Sequence, residues 1–118
     1  MSKDLVSIGE LHKRLSSKEF VHLTKDQILK DAEGLLNDVP VFEPDFNGDV
    51  HEQFILFLSG ILEELTKSDT SRLMQFIYRV DLNENQFHDS VYGGDLDQLA
   101  QLIIRREAQK VFFKNYFR

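Results

Sequence analysis

The sequence contains no cysteine among its 118 residues. This absence excludes disulfide bonds, a thiolate nucleophile and thiolate metal ligands. No apolar run approaches the roughly 18 residues that a membrane-spanning helix needs, because the longest run covers only residues 54–58. The first residues contain no apolar signal-peptide core, so we expect a cytoplasmic protein with no membrane association.

Proline and glycine are also scarce, with two and six residues, so few positions interrupt regular structure. Hydrophobic residues make up 42% of the chain and charged residues 29%, which is typical of a folded globular protein. A chain of this length is the usual size of one domain. We therefore predict a single helical domain over residues 1–118, with residues 1–6 as a candidate flexible N-terminus.

Apolar residues recur at helical spacing along almost the whole sequence. Two capping boxes, Ser7 with Glu10 and Thr24 with Gln27, predict the starts of the first two helices. The second helix is expected to continue to about Asn37. Residues 18–23 fit either an extended segment or a helix.

Three more helices and a short one complete the predicted fold. We expect caps at Asn47 or Asp49, at Ser68 or Asp69, and at Asp95, with a short helix over residues 84–90. Gly60 lies inside the third helix, where it indicates a close approach between helices. No strand pattern is visible, so the prediction is all-α, an irregular antiparallel bundle of five or six helices.

The sequence from Glu43 to Phe54 partly resembles a calcium-binding EF-hand loop. Phe54 occupies the position of the bidentate glutamate and cannot coordinate a metal. A turn over residues 45–49 followed by a helix cap explains the same pattern better.

No residue pattern predicts catalysis, a cofactor or a metal site. The four histidines are scattered without metal-ligand spacing, and no nucleophile elbow or phosphate loop is present. These observations favour a protein without chemistry of its own, although an enzyme with an unrecognised site stays an alternative.

Charge is distributed unevenly along the chain. The net charge is −6, but residues 103–118 contain five basic residues and one acidic residue, which leaves −10 on the remainder. This acidic remainder would repel a nucleic acid. A nucleic-acid-associated protein that uses the basic C-terminal helix is therefore a disfavoured alternative. A chain with an acidic middle and a basic end can also attract its own end, a second copy or another protein.

Aromatic residues interleave with the basic residues near the C-terminus, which is apolar nearly all round. Such a helix either enters the core of the bundle or offers a face to a partner. We predict a non-catalytic protein–protein interaction or self-associating module, with a homodimer as one possibility. The candidate interaction surface consists of Arg105, Arg106, Lys110, Phe113, Lys114 and Phe117.

Two stretches, Ile77–Glu84 and Leu99–Lys110, resemble segments of a family of small bacterial helical proteins. In that family a Tyr-Arg-hydrophobic-Asp turn precedes a helix that ends in basic residues. The resemblance implies a helical fold, and it transfers no functional residue because no activity is assigned to the family. Arg79 lies where a helix ends, and we expect it to form a structural ion pair with Asp81 or with an acidic residue of the last helix.

Overall fold

The computed structural model describes residues 18–82, 85 and 96–116. These residues form four α-helices and no strand, which confirms the all-α prediction for the described part of the chain. The helices are α1 (Lys18–Asp31), α2 (Val50–Ser68), α3 (Thr70–Val80) and α4 (Leu96–Tyr116).

The described residues contain four helices, whereas five or six were predicted for the whole chain. The predicted helix after Ser7, the short helix over residues 84–90 and the cap at Asp95 lie outside the described residues. Within the described ranges, no helix is both long and apolar enough to cross a membrane.

The apolar faces of the four helices meet in one core, and α4 packs against each of the other three. The largest fully buried apolar side chains come from every helix: Phe20, Ile28, Phe54, Leu58, Ile61, Leu62, Leu65, Phe76, Leu99, Ile103 and Ile104. Burial of these side chains is the main favourable contribution to folding.

Two aspartates begin α2 and α3, as the sequence predicts. The Asp49 carboxylate accepts a hydrogen bond from the backbone N–H of Glu52 at 3.1 Å. Asp69 accepts one from the N–H of Ser71 at 2.8 Å, while its own N–H donates to the Leu65 carbonyl at 3.1 Å. Asp69 therefore ends α2 and begins α3, since its side chain and its backbone satisfy different helix ends.

The prediction for α1 is wrong at both ends. Thr24 does not cap a helix; it is buried in the middle of α1, where its hydroxyl donates to the Phe20 carbonyl at 2.8 Å. Within the described residues the helix covers Lys18–Asp31, so it ends at Asp31 rather than near Asn37. A turn follows in which Gly34 adopts φ +80°, a conformation that costs glycine little and ends the helix.

Gly60 does not mark a close approach between helices, so this prediction is also wrong. It is exposed, and a Cβ atom built on it would meet no atom within 4 Å. Its place in α2 has no packing explanation among the described residues.

Candidate functional site

The predicted basic surface is divided between solvent and internal contacts. Arg105 is exposed on α4. The Arg106 guanidinium donates to the Asp81 carboxylate at 3.0 Å and to the Asp81 carbonyl at 3.1 Å, at the end of α3. The ammonium group of Lys110 bonds to Asp31, at the end of α1. Two of these three basic residues are thus engaged within the molecule.

The aromatic part of the predicted surface lies partly in the core. Phe113 is half-buried, and its ring stands edge-on to the buried ring of Phe112, with 6.0 Å between centroids. Lys114 is exposed, and Phe117 lies outside the described residues. Partner binding by the six predicted residues stays a prediction.

Asp31, Glu107 and Lys110 form a buried carboxyl cluster between α1 and α4. The Lys110 Nζ atom donates to Asp31 Oδ2 at 2.6 Å and to Glu107 Oε1 at 2.9 Å. The Glu107 side chain has no exposed surface, and the side chains of Asp31 and Lys110 are 11% and 21% exposed. Two carboxyl groups therefore share one lysine in a largely dry environment.

The same cluster also holds the end of α3. Lys110 Nζ donates to the Arg79 carbonyl at 3.2 Å. In return, the Arg79 guanidinium donates to the carbonyls of Asp31 and Glu33 at 3.0 and 2.7 Å. The expected ion pair of Arg79 is not found among the described residues, because its guanidinium donates to backbone carbonyls at the end of α1 and Asp81 pairs with Arg106 instead. The C-terminal ends of α1 and α3 thus meet at α4.

Burial changes the acidity of Glu107. The pKa of Glu107 is raised from 4.5 to about 9, chiefly by loss of solvation and then by a hydrogen bond with the Asp31 side chain, while Lys110 acts in the opposite direction. Since its carboxyl has no exposed surface, a substrate molecule does not touch it in this fold.

Sequence reasoning missed this cluster, although half of its signal was present. Glu107 falls on the apolar stripe of α4, at helical spacing from Ile103, Ile104 and Val111. A glutamate at the centre of such a stripe predicts a buried carboxyl that needs a partner. Asp31, the second carboxyl group of the cluster, is distant from Glu107 in the sequence, and no local pattern indicates that the two are in contact.

Exposed apolar residues occur in the segment between α1 and α2. Residues 38–45, which we name the proline segment, have no helical or strand structure, and from residue 39 onward their side chains alternate between exposed and half-buried. Val39 and Val41 are 70% and 80% exposed, whereas Pro40, Phe42 and Pro44 turn towards the protein. Prolines at these positions favour extended backbone in the residues before them.

Side chains of α2 hold the proline segment at its centre and at both ends. The Phe42 ring lies 4.7 Å from the rings of Phe54 and Phe57. The Gln53 amide accepts from the Asp45 N–H at 2.7 Å and donates to the Asp45 carbonyl at 2.9 Å. At the other end, the Asn37 N–H donates to the Glu64 carboxylate at 3.0 Å. Two exposed valines are therefore carried on a backbone that is fixed on both sides.

The turn that follows the segment has the predicted form, a turn over residues 45–49 followed by a helix cap. The Asp45 carboxylate accepts from the Asn47 N–H at 2.9 Å, and the Asp45 carbonyl accepts from Gly48 at 3.0 Å. Asp49 then caps α2. Asp45 and Asp49 thus satisfy backbone donors of the turn and of the helix.

The surroundings of the proline segment are acidic. Residues 31–52 contain seven acidic residues and no lysine or arginine, and all of the acidic residues except Asp31 are exposed. Cations contact the region at its flanks, with Lys18 5.4 Å from the Phe46 ring centroid and Arg72 bonded to the Leu35 carbonyl. The exposed valines therefore lie in a field that attracts positive charge.

Comparison of the chain with family models, with curated proteins and with solved structures finds no match.

Proposed function

We propose that this chain is a non-catalytic protein-binding module that docks a partner on the proline segment. The observation that carries the proposal is the exposure of Val39 and Val41 on a backbone that side chains of α2 hold in place. Binding to a fixed segment loses less conformational entropy than binding to a flexible one. Adjacent exposed apolar side chains with a polar rim are a common feature of docking sites.

Charge supports a partner that differs from this chain. A second copy would bring its own acidic segment close, and like charges at an interface oppose association. The basic residues of α4 offer little compensation, because Arg106 and Lys110 are engaged within the molecule. We therefore infer a partner with an apolar surface rimmed by lysine or arginine. A cytoplasmic location and self-association remain predictions.

Affinity capture from an extract of the native cells tests the docking surface. The bait is the whole chain, its Val39→Ser/Val41→Ser variant, and Leu56→Ser as the matched control. Leu56 is 66% exposed on α2, and its replacement by serine removes a similar aliphatic group outside the proline segment. We expect the wild type and Leu56→Ser to retain the same protein and the double variant to lose it.

The salt dependence of that capture tests the charge argument. Retention should weaken as ionic strength rises, because salt screens the attraction between exposed charges. Equal retention by the double variant would contradict the docking site. Light scattering at several protein concentrations addresses the second copy, and a stable dimer that the double variant converts to monomer would show that the partner is the chain itself.

A further inference from the structure

We infer that Glu107 carries a proton in the native protein. The Glu107 Oε2–H group donates this proton in a hydrogen bond to the Asp31 carboxylate, which links α4 to α1. The inference is independent of the proposed docking function. It concerns the buried carboxyl cluster, which the docking surface does not use.

The hydrogen bonds of the cluster require this proton. Glu107 Oε1 accepts from Lys110, but Oε2 is buried and has no donor within the described residues. A buried carboxylate oxygen without a donor is costly. Lys110 Nζ lies 2.6 Å from Asp31 Oδ2 and 2.9 Å from Glu107 Oε1, so the two carboxyl groups lie side by side. A proton on Oε2 turns this oxygen into a donor, so the unpaired atom and the neighbouring carboxylate satisfy each other.

Charge counting within the cluster leads to the same state. Helix α1 contributes the Asp31 carboxyl group and the neutral Gln27 amide, whose Nε2 atom donates to Asp31 Oδ1 at 3.4 Å. From α4, Lys110 is the cation in contact with both carboxyl groups. From α3, the Arg79 guanidinium is directed to backbone carbonyls. One ammonium group balances one carboxylate, and the other carboxyl stays neutral.

Loss of the proton weakens the contact between α1 and α4. When hydroxide removes it and forms water, Glu107 becomes a second anion beside Asp31, and the hydrogen bond between the two carboxyl groups disappears. The pKa of Glu107 is higher in the folded than in the unfolded chain. Its stabilising contribution is therefore fully present below about pH 4.5 and is lost as the pH rises towards 9.

The variant Glu107→Gln tests the proton directly. Glutamine keeps the carbonyl acceptor for Lys110 and supplies an N–H donor for Asp31, but it does not titrate. Urea unfolding is measured from pH 5 to 8 for the wild type, for Glu107→Gln and for the exposed control Glu63→Gln. We expect the ratio of the wild-type unfolding constant to that of Glu107→Gln to rise up to tenfold per pH unit. The ratio of the wild-type unfolding constant to that of Glu63→Gln should not change with pH.

A carbon-13 NMR titration of the glutamate carboxyl groups gives a second measurement that does not depend on unfolding. The Glu107 carboxyl should titrate with a midpoint near pH 9. In Asp31→Asn the midpoint should fall, because the anionic neighbour that raises the pKa of Glu107 is gone. A flat unfolding ratio for Glu107→Gln, or a Glu107 midpoint near 4.5 in the wild type, would overturn the inference.

Discussion

The buried carboxyl cluster and the proline segment both contain acidic side chains, but the cluster alone neutralises them within the molecule. In the cluster, Lys110 contacts two carboxyl groups on different helices. In the proline segment, Asp38, Glu43 and Asp45 are exposed to solvent. The cluster therefore contributes to the fold, whereas the segment leaves negative charge available to a partner.

The two regions differ in how their backbones are held as well. The Lys110 ammonium group joins α4 to the end of α1 by a part-buried ion pair with Asp31 and to the end of α3 by a hydrogen bond to the Arg79 carbonyl. The proline segment is held by one aromatic ring and by side-chain amide and carboxylate groups of α2. An uneven charge distribution along a sequence therefore does not by itself identify a binding face, because some of the charged residues pair within the molecule.

Removal of the cation from the cluster should have the largest effect on stability. Lys110→Met keeps an apolar side chain of similar length but leaves the Asp31 carboxylate buried beside Glu107 without its ammonium partner. Removal of one member of a buried ion pair typically destabilises a protein by about 3–5 kcal/mol. We expect a loss in this range, measured as the free energy of unfolding in urea at pH 7.

The exposed lysine at the end of α2 provides the control for this measurement. Lys67→Met should change the free energy of unfolding by less than about 0.5 kcal/mol, since surface substitutions usually have small effects. Similar values for the two variants would remove the distinction between a cluster that stabilises the fold and a solvated charge.

The corresponding change in the proline segment concerns its aromatic anchor. Phe42→Ala removes a half-buried ring that stacks on Phe57. Replacement of a fully buried phenylalanine by alanine typically lowers the free energy of unfolding by about 3–5 kcal/mol, so we expect a loss of about 2 kcal/mol for this half-buried ring. Limited proteolysis should also cleave residues 38–45 faster in this variant. An unchanged cleavage rate would show that the ring does not hold the segment.

Local patterns in the sequence predicted those parts of the fold that depend on neighbouring residues. The all-helical class follows from the apolar periodicity, and the caps at Asp49 and Asp69 follow from a short polar side chain before an apolar run. Thr24 has the same local pattern but is buried inside α1. Tertiary packing of Phe20 and Val21 continues the helix through it, which a local capping pattern does not reveal.

The site residues were harder to predict because their environment depends on distant contacts. Lys110 has the sequence context of an exposed basic residue, yet its ammonium group bonds to Asp31, 79 residues away. Nothing local to Val39 and Val41 indicates that they are exposed. Pro40, Phe42 and Pro44 occupy the inward positions, so alternation along the extended backbone leaves the valines exposed.

A smaller effect is expected at the end of the proline segment. Gln53→Ala removes both hydrogen bonds to the Asp45 backbone, which lie at the surface. Since water replaces part of this loss, we expect a destabilisation of about 1 kcal/mol. The exposed Gln75 of α3 supplies a control, Gln75→Ala, that should be within about 0.5 kcal/mol of the wild type. Equal stabilities would show that the Gln53 amide does not fix the segment.

The smallest effect on stability should come from the residues on which the proposed docking surface depends. Val39→Ser/Val41→Ser removes side chains that already contact water in the free protein, so its free energy of unfolding should change by less than about 0.5 kcal/mol. The same variant should lose the captured partner. Because Lys110→Met should have the opposite profile, with a large loss of stability and partner binding retained by its folded fraction, the two variants separate the two regions. A large loss of stability in the double valine variant would mean that the valines support the fold, and the comparison on which the docking proposal rests would then be wrong.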